Sequence, residues 1–322
     1  MRGDPAGSAG SATLFAVSAA TSSLLAMEHI VSVDAPPAMD WSEERPAGLA
    51  PQLWAESRPT AATLAQLALP DGSVTHGLDG QLLGWESGPE VDCDLRELWL
   101  ACARQFPHTG LWPICDTAFP LKPGRGWHLL EDADGRSYWR DPYEMPSDVY
   151  DAANTADRGD YFEYVDDESD FFREMMQECG LKETDMTLAD ASVFPDDPLA
   201  LLTVPEAPKS LTLVACRRPA DAVLLLDFGV ANDDATPGIF AGVLRSWETR
   251  FGVVPVMLSP TWTAFQVLAP PTDEFQIERL AAEVFCFATD SAGQGGFHHA
   301  YGGPSVSERE LVQSREWLIW WD

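Results

Sequence analysis

Lysine is nearly missing from this chain: Lys122, Lys182 and Lys209 are the only three, and lysine and arginine together total 20 against 51 aspartates and glutamates. The resulting formal charge of -31 repels nucleic-acid phosphates and anionic membranes over most of the surface, which disfavours direct DNA or RNA binding. Closely spaced cysteines are missing too. Cys93, Cys102, Cys115, Cys179, Cys216 and Cys286 never approach CxxC spacing, so the sequence signals neither a zinc site nor a small disulfide framework, and reduced buried thiols are expected. No apolar run reaches the roughly 18 residues that a membrane span needs. Residues 11–27 are only mildly apolar, serines and threonines interrupt them, and Asp4 spoils a basic leader in front of them. A cytoplasmic protein with no membrane partner is the expectation.

Catalytic signatures are scarce as well. None of the six histidines, His29, His76, His108, His128, His298 and His299, pairs with a serine or cysteine in a nucleophile motif such as G-x-S-x-G. Asp132-Ala133-Asp134-Gly135 has a D-x-D-G pattern, but a calcium loop needs its glycine two positions later and a carboxylate at its twelfth, so these residues read as a turn. The reading therefore assigns no catalytic residue, no metal and no cofactor.

What is present begins with a length of 322 residues, enough for two modest domains. Residues 1–59, rich in Ala, Ser and Gly and then in Pro, read as a disordered extension. Residues 60–194 read as an α/β or α+β domain. Its elements are a helix over 60–69, a strand over 82–86, a helix capped by Asp92 or Asp94 with Leu95, Leu98, Trp99, Cys102 and Phe106 at helical spacing, a strand over 110–115, and a hairpin of 126–131 with 136–140. The stretch 131–200 holds 21 acidic and 5 basic residues, a share of -16 in the total of -31. Within it Tyr161, Phe162 and Tyr164 lie beside carboxylates. They read either as part of a solvated face or as aromatic contacts on a docking surface for a basic protein. The proline-rich stretch 195–210 reads as a linker.

From 211 onward the pattern is regular. Residues 211–216 and the apolar run 222–228 read as strands, and Phe240, Val243, Leu244, Trp247 and Phe251 mark a helix ended by Gly252. Residues 253–259 and 263–268 read as a hairpin, with Pro255 arguing for an edge strand. Thr272 caps a second helix with stripe Ile277, Leu280, Ala281, Val284 and Ala288, and 317–321 closes the sheet. Strand, helix, strand, strand, helix, strand is the split-βαβ order, so the expected class is α+β with a ferredoxin-like closing domain of about five strands.

Several segments of this half carry a resemblance. Leu244-Arg245-Ser246-Trp247-Glu248-Thr249-Arg250-Phe251-Gly252, the Pro270-Pro271-Thr272 that opens a helix, the run 281–290 ending in Asp290 and followed by Gln294-Gly295, and the closing Trp320-Trp321-Asp322 resemble the bacterial DUF4253 family. Gly110-Leu111-Trp112-Pro113 is similar to that family's upstream region, so the likeness runs from about residue 69 to the end. The family's name records an unknown function. The resemblance implies an architecture and marks Asn232, Arg245, Trp247, Glu248, Arg250, Glu283, Asp290, Gln294, Trp320, Trp321 and Asp322 for scrutiny.

Two readings of function follow. In the first, this is a non-enzymatic module whose acidic surface binds a basic protein, as immunity proteins neutralise cationic toxins. In the second, this is a metal-assisted hydrolase or small-ligand-binding enzyme acting at a cleft between the domains, using Asp227, Asn232, Glu248, Glu283 or Asp322 with a divalent cation, Asp233 and Asp234 lying in the same loop as Asn232. Arg245 with Glu248 or Thr249 reads as a solvated surface pair. It becomes a buried polar network or a small-ligand site if Glu283 and Asp322 face it. Trp320 and Trp321 must point to opposite sides of a strand, one to the core and the other to a groove or the partner domain, with Asp322 held by a cation such as Arg245 or Arg250.

Overall fold

A computed structural model describes residues 41, 44–77, 80–88, 93–121, 128–131, 137–140, 188–204, 208–229, 237–288, 291, 295–299 and 303–321. In chain order these form α1 (Ala61–Gln66), β1 (Gly72–His76), β2 (Leu82–Ser87), α2 (Leu95–Thr109), β3 (Leu111–Cys115), β4 (His128–Glu131), β5 (Ser137–Arg140) and β6 (Leu211–Ala215). They continue with α3 (Ala222–Leu225), α4 (Pro237–Phe251), β7 (Val253–Leu258), β8 (Trp262–Val267), α5 (Glu274–Phe287), β9 (Phe297–His298), α6 (Glu308–Gln313) and β10 (Glu316–Trp320). The class is mixed α+β.

Eight strands make one sheet in the order β1-β2-β6-β3-β7-β8-β10-β9, and β4 pairs with β5 as a separate hairpin. The pairings are antiparallel except β3 with β7. This order corrects the ferredoxin-like expectation in two ways. Residues 222–228 supply no strand: Pro219 opens a 3-10 turn through Asp221, α3 follows, and Asp227 stops it at φ 50. A continuous apolar run suits a helix buried on all sides as well as a central strand, and Ala222, Val223, Leu224 and Leu225 are all buried. In addition, β7, β8 and β10 run as neighbours, and β3, from the first half, lies between β6 and β7.

The sheet and a single apolar cluster, from Leu49 to Trp321, span both halves of the sequence. The stretch read as a linker carries a 3-10 turn, Pro198–Leu201, and buries Leu199, Leu202 and Val204. The extension read as disordered is ordered from Glu44 on, with Leu49, Leu53 and Ala55 buried, while residues 1–40 lie outside the described residues. Its low hydrophobic density hid a segment that packs with only a few apolar side chains.

Other expectations are met or moved slightly. The Asp94 side chain caps α2 by accepting from Arg96 N and Glu97 N, and Thr60 caps α1. Gly252 ends α4 at φ 65, where an added Cβ would come within 2.7 Å of the Phe194 ring. The cap of α5 is Asp273, one residue past the predicted Thr272, accepting from Phe275 N and Gln276 N. Pro255 sits in β7, interior to the sheet. The strand tolerates it because the register shifts between Pro255 and Met257, and the Pro255 carbonyl accepts the Trp112 indole N–H at 2.8 Å.

Side-chain alternation fixes the two sides of β10. Trp317, Ile319 and Trp321 face α4 and α5, with Trp317 against Trp247 at 5.6 Å and Trp321 against Phe240 at 5.5 Å and Phe287 at 5.3 Å. The Trp321 indole N–H donates to Thr263 Oγ1 at 3.1 Å. Trp320, on the other side, is half-buried, as the alternation requires.

Candidate functional site: a buried arginine and carboxylate network on α4

Helix α4 is amphipathic, yet its polar side is not solvated. Phe240, Leu244, Trp247 and Phe251 enter the core, and Arg245 and Glu248, one turn apart, face the turn that holds Arg218 and Asp221. The same three-residue spacing occurs in both segments, and the four charges pair crosswise. Arg218 Nε donates to Glu248 Oε2 at 2.5 Å, and Arg245 Nε donates to Asp221 Oδ1 at 2.7 Å. The pair expected within α4 is thus replaced by two pairs between segments, all four residues no more than 6% exposed.

The remaining valences are largely taken. Glu248 Oε1 accepts Ala220 N at 2.9 Å, and Arg218 Nη2 donates to Arg245 O at 2.9 Å and to Thr249 Oγ1 at 2.8 Å. Burial pushes the Glu248 carboxyl up to about 7, against the lowering pull of Arg218 and of the Ala220 N–H, with the Asp221 charge adding to the rise. Asp221 Oδ2 meets no hydrogen-bond donor among the described residues.

A second knot lies one turn further round α4. Arg250 grips Glu283 with two parallel bonds, Nη1 to Oε1 at 2.9 Å and Nη2 to Oε2 at 2.6 Å. Glu283 also accepts the Trp247 indole N–H at 2.9 Å and Ala189 N at 2.8 Å, and Arg250 donates to Ala189 O at 2.9 Å. The network therefore fastens α4 to the 3-10 turn on one side and to α5 and the segment near Ala189 on the other.

Sequence reasoning named Arg245, Trp247, Glu248, Arg250 and Glu283, and all five belong to these two knots. It missed Arg218, Asp221 and Ser246, whose hydroxyl accepts from Arg250 Nη2 at 2.9 Å. The matching spacings of Arg218 with Asp221 and of Arg245 with Glu248 were the available signal. Tyr161, Phe162, Tyr164, Asn232, Asp233, Asp234, Asp290, Gln294 and Asp322 lie outside the described residues.

The chemistry of this arrangement is that of a fastening. Glu248 and Glu283 direct both oxygens at arginine and N–H donors, so the two buried carboxylates that a metal-assisted hydrolase would need are engaged elsewhere. Among the described residues, no group of three or more His, Cys, Asp or Glu is placed to hold a metal. Cys102, Cys115 and Cys216 are buried free thiols; burial pushes Cys102 up to about 12 and Cys115 and Cys216 well above the ordinary range, so all three stay protonated.

Fold and network together define a mixed α+β protein whose central helix is held by buried ion pairs. Residues 210–322 match the family model described as Domain of unknown function (DUF4253), consistent with a DUF4253 domain over this part of the chain. The match covers a shorter span than the likeness from residue 69 suggested. No curated protein and no solved structure matches the chain. No helix among the described residues is long and apolar enough to cross a membrane.

Proposed function

We propose that this chain is a non-enzymatic cytoplasmic binding protein whose acidic surface docks a basic protein partner, in the manner of immunity proteins that neutralise cationic toxins. One observation carries the reading: the arginines and carboxylates best placed for chemistry are spent on one another inside the fold. The three pairs remove three charges of each sign from the count of 20 basic and 51 acidic residues, which leaves 17 against 48. The whole excess of -31 thus falls to residues outside these pairs, with -16 of it in residues 131–200. Tyr161, Phe162 and Tyr164, set among those carboxylates, would supply the aromatic contacts that anchor such a partner. Buried reduced thiols support the cytoplasmic assignment.

The test is to immobilise the full chain and compare protein captured at about 50 mM and about 500 mM salt, then to reconstitute binding with the purified candidate. A basic protein that binds one-to-one and is released by salt is the expected outcome. A chain that yields no partner surviving reconstitution contradicts the reading.

A further inference from the structure

The end of the sheet beyond α4 and α5 carries an aromatic group that the buried network does not use. Trp320 lies directly opposite Trp262 in the β10 and β8 pairing, and Leu318 lies opposite His298 in the β10 and β9 pairing. Directly paired residues share a side of the sheet, as do residues two apart in one strand, so Trp262, Trp320, His298 and Leu318 all face away from α4 and α5. The Trp262 ring is 5.5 Å from His298 and 6.4 Å from Trp320. His298 is fixed in place by Nδ1–H donating to Gly303 O at 2.7 Å. Leu318 is buried beneath, while Trp262, Trp320 and His298 remain half-buried.

Most of the other indoles among the described residues are engaged, the buried Trp317, whose N–H meets no acceptor among the described residues, being an exception. Trp99, Trp112, Trp247 and Trp321 donate their N–H to Pro113 O, Pro255 O, Glu283 and Thr263. Trp41 and Trp54 carry the Arg217 guanidinium, at 5.8 and 4.3 Å. Among the described residues neither hydrogen-bonding nor cationic partners meet the rings of Trp262 and Trp320. On a chain with a formal charge of -31, a planar cation is the occupant that both the ring faces and the surrounding field favour.

We propose that Trp262 and Trp320, bordered by His298, form a stacking platform for an arginine side chain of the basic partner. This rests on the reading of the chain as a docking module for a basic protein. Arginine is favoured over lysine because its flat, weakly hydrated guanidinium stacks on indole with less desolvation. The platform adds a salt-resistant contact to an otherwise screened attraction.

The test uses labelled hexa-arginine and hexa-lysine peptides, binding measured by anisotropy to the full chain at about 150 and about 500 mM salt. Wild type should bind hexa-arginine more tightly than hexa-lysine, with the gap persisting at the higher salt. Trp320→Leu and Trp262→Leu, which change no charge, should each weaken hexa-arginine on the order of fivefold and leave hexa-lysine nearly unchanged. Trp320→Phe, which keeps a ring, should retain most of the preference and guards against an effect of misfolding. Salt-sensitive binding of both peptides that is indifferent to all three substitutions overturns the platform and leaves the docking reading standing. No binding of either peptide at about 150 mM salt overturns both.

Discussion

Arg218 and Glu248 lie thirty residues apart in sequence and meet at 2.5 Å in the interior, where side-chain exposure falls to 4% and 0%. Beside them Arg245 holds Asp221 in the same way, so the helix α4 and the turn before α3 are joined by two antiparallel charge pairs. A buried pair gives little net stability, but breaking one leaves the other charge stranded.

Arg218→Ala should therefore cost about 3 to 5 kcal/mol, while replacing both partners, Arg218→Leu with Glu248→Leu, should cost clearly less than the sum of the single changes. Urea unfolding of the two single variants and the double variant measures this. Additive losses would mean that the two side chains do not act as a pair.

The same pair predicts a pH dependence. Burial holds the folded Glu248 carboxyl near 7, above the 4.5 of an ordinary glutamate. Between those values the folded chain keeps a proton that the unfolded chain releases. The contribution of this group is thus greatest below about 4.5 and is lost as pH rises to about 7. Wild type should lose stability relative to Glu248→Gln between about pH 5 and 7, and the difference should level off above. Parallel stability profiles for the two proteins would contradict the raised value.

The ordered segment ahead of α1 gives a third prediction. Leu53 is fully buried, and Ala55 N donates to Arg217 O at 2.8 Å, beside the guanidinium that rests on Trp41 and Trp54. Leu53→Ala should cost about 2 to 5 kcal/mol in urea unfolding, as at any core position. A loss under about 0.5 kcal/mol would show the segment to be peripheral.

The closing strand gives a fourth. Deleting residues 318–322 removes most of the β10 ladder with β8 and β9, and with it the buried Ile319 and Trp321 side chains. The melting temperature should fall by at least about 5 °C. A fall within about 2 °C would contradict the packing of Trp321 between Phe240 and Phe287.

Local pattern made much of the second half legible. The apolar spacing of α4, the Gly252 stop, the paired β7 and β8 and the opposite facing of Trp320 and Trp321 are all determined by residues near one another in sequence. The misreadings share a different cause. Residues 222–228 are buried on all sides, which erases the periodicity that separates helix from strand. The place of β3 between β6 and β7 is a long-range pairing that no local pattern encodes. Arg245 and Glu248 satisfied a surface-pair rule, and only the distant Arg218 and Asp221 turn them inward. Leu49 and Leu53 were hidden because a few apolar side chains within a polar, proline-rich stretch resemble disorder.

The most direct test of the account is the affinity of the purified chain for its reconstituted basic partner, titrated by calorimetry across salt concentration. It should be compared with a chain in which Glu163, Asp166, Asp167 and Glu168 are replaced by Gln, Asn, Asn and Gln. The account predicts binding that weakens steadily as salt rises, and at low salt an affinity at least about tenfold lower for the substituted chain. Affinity that is unchanged by salt and by the four substitutions would contradict it.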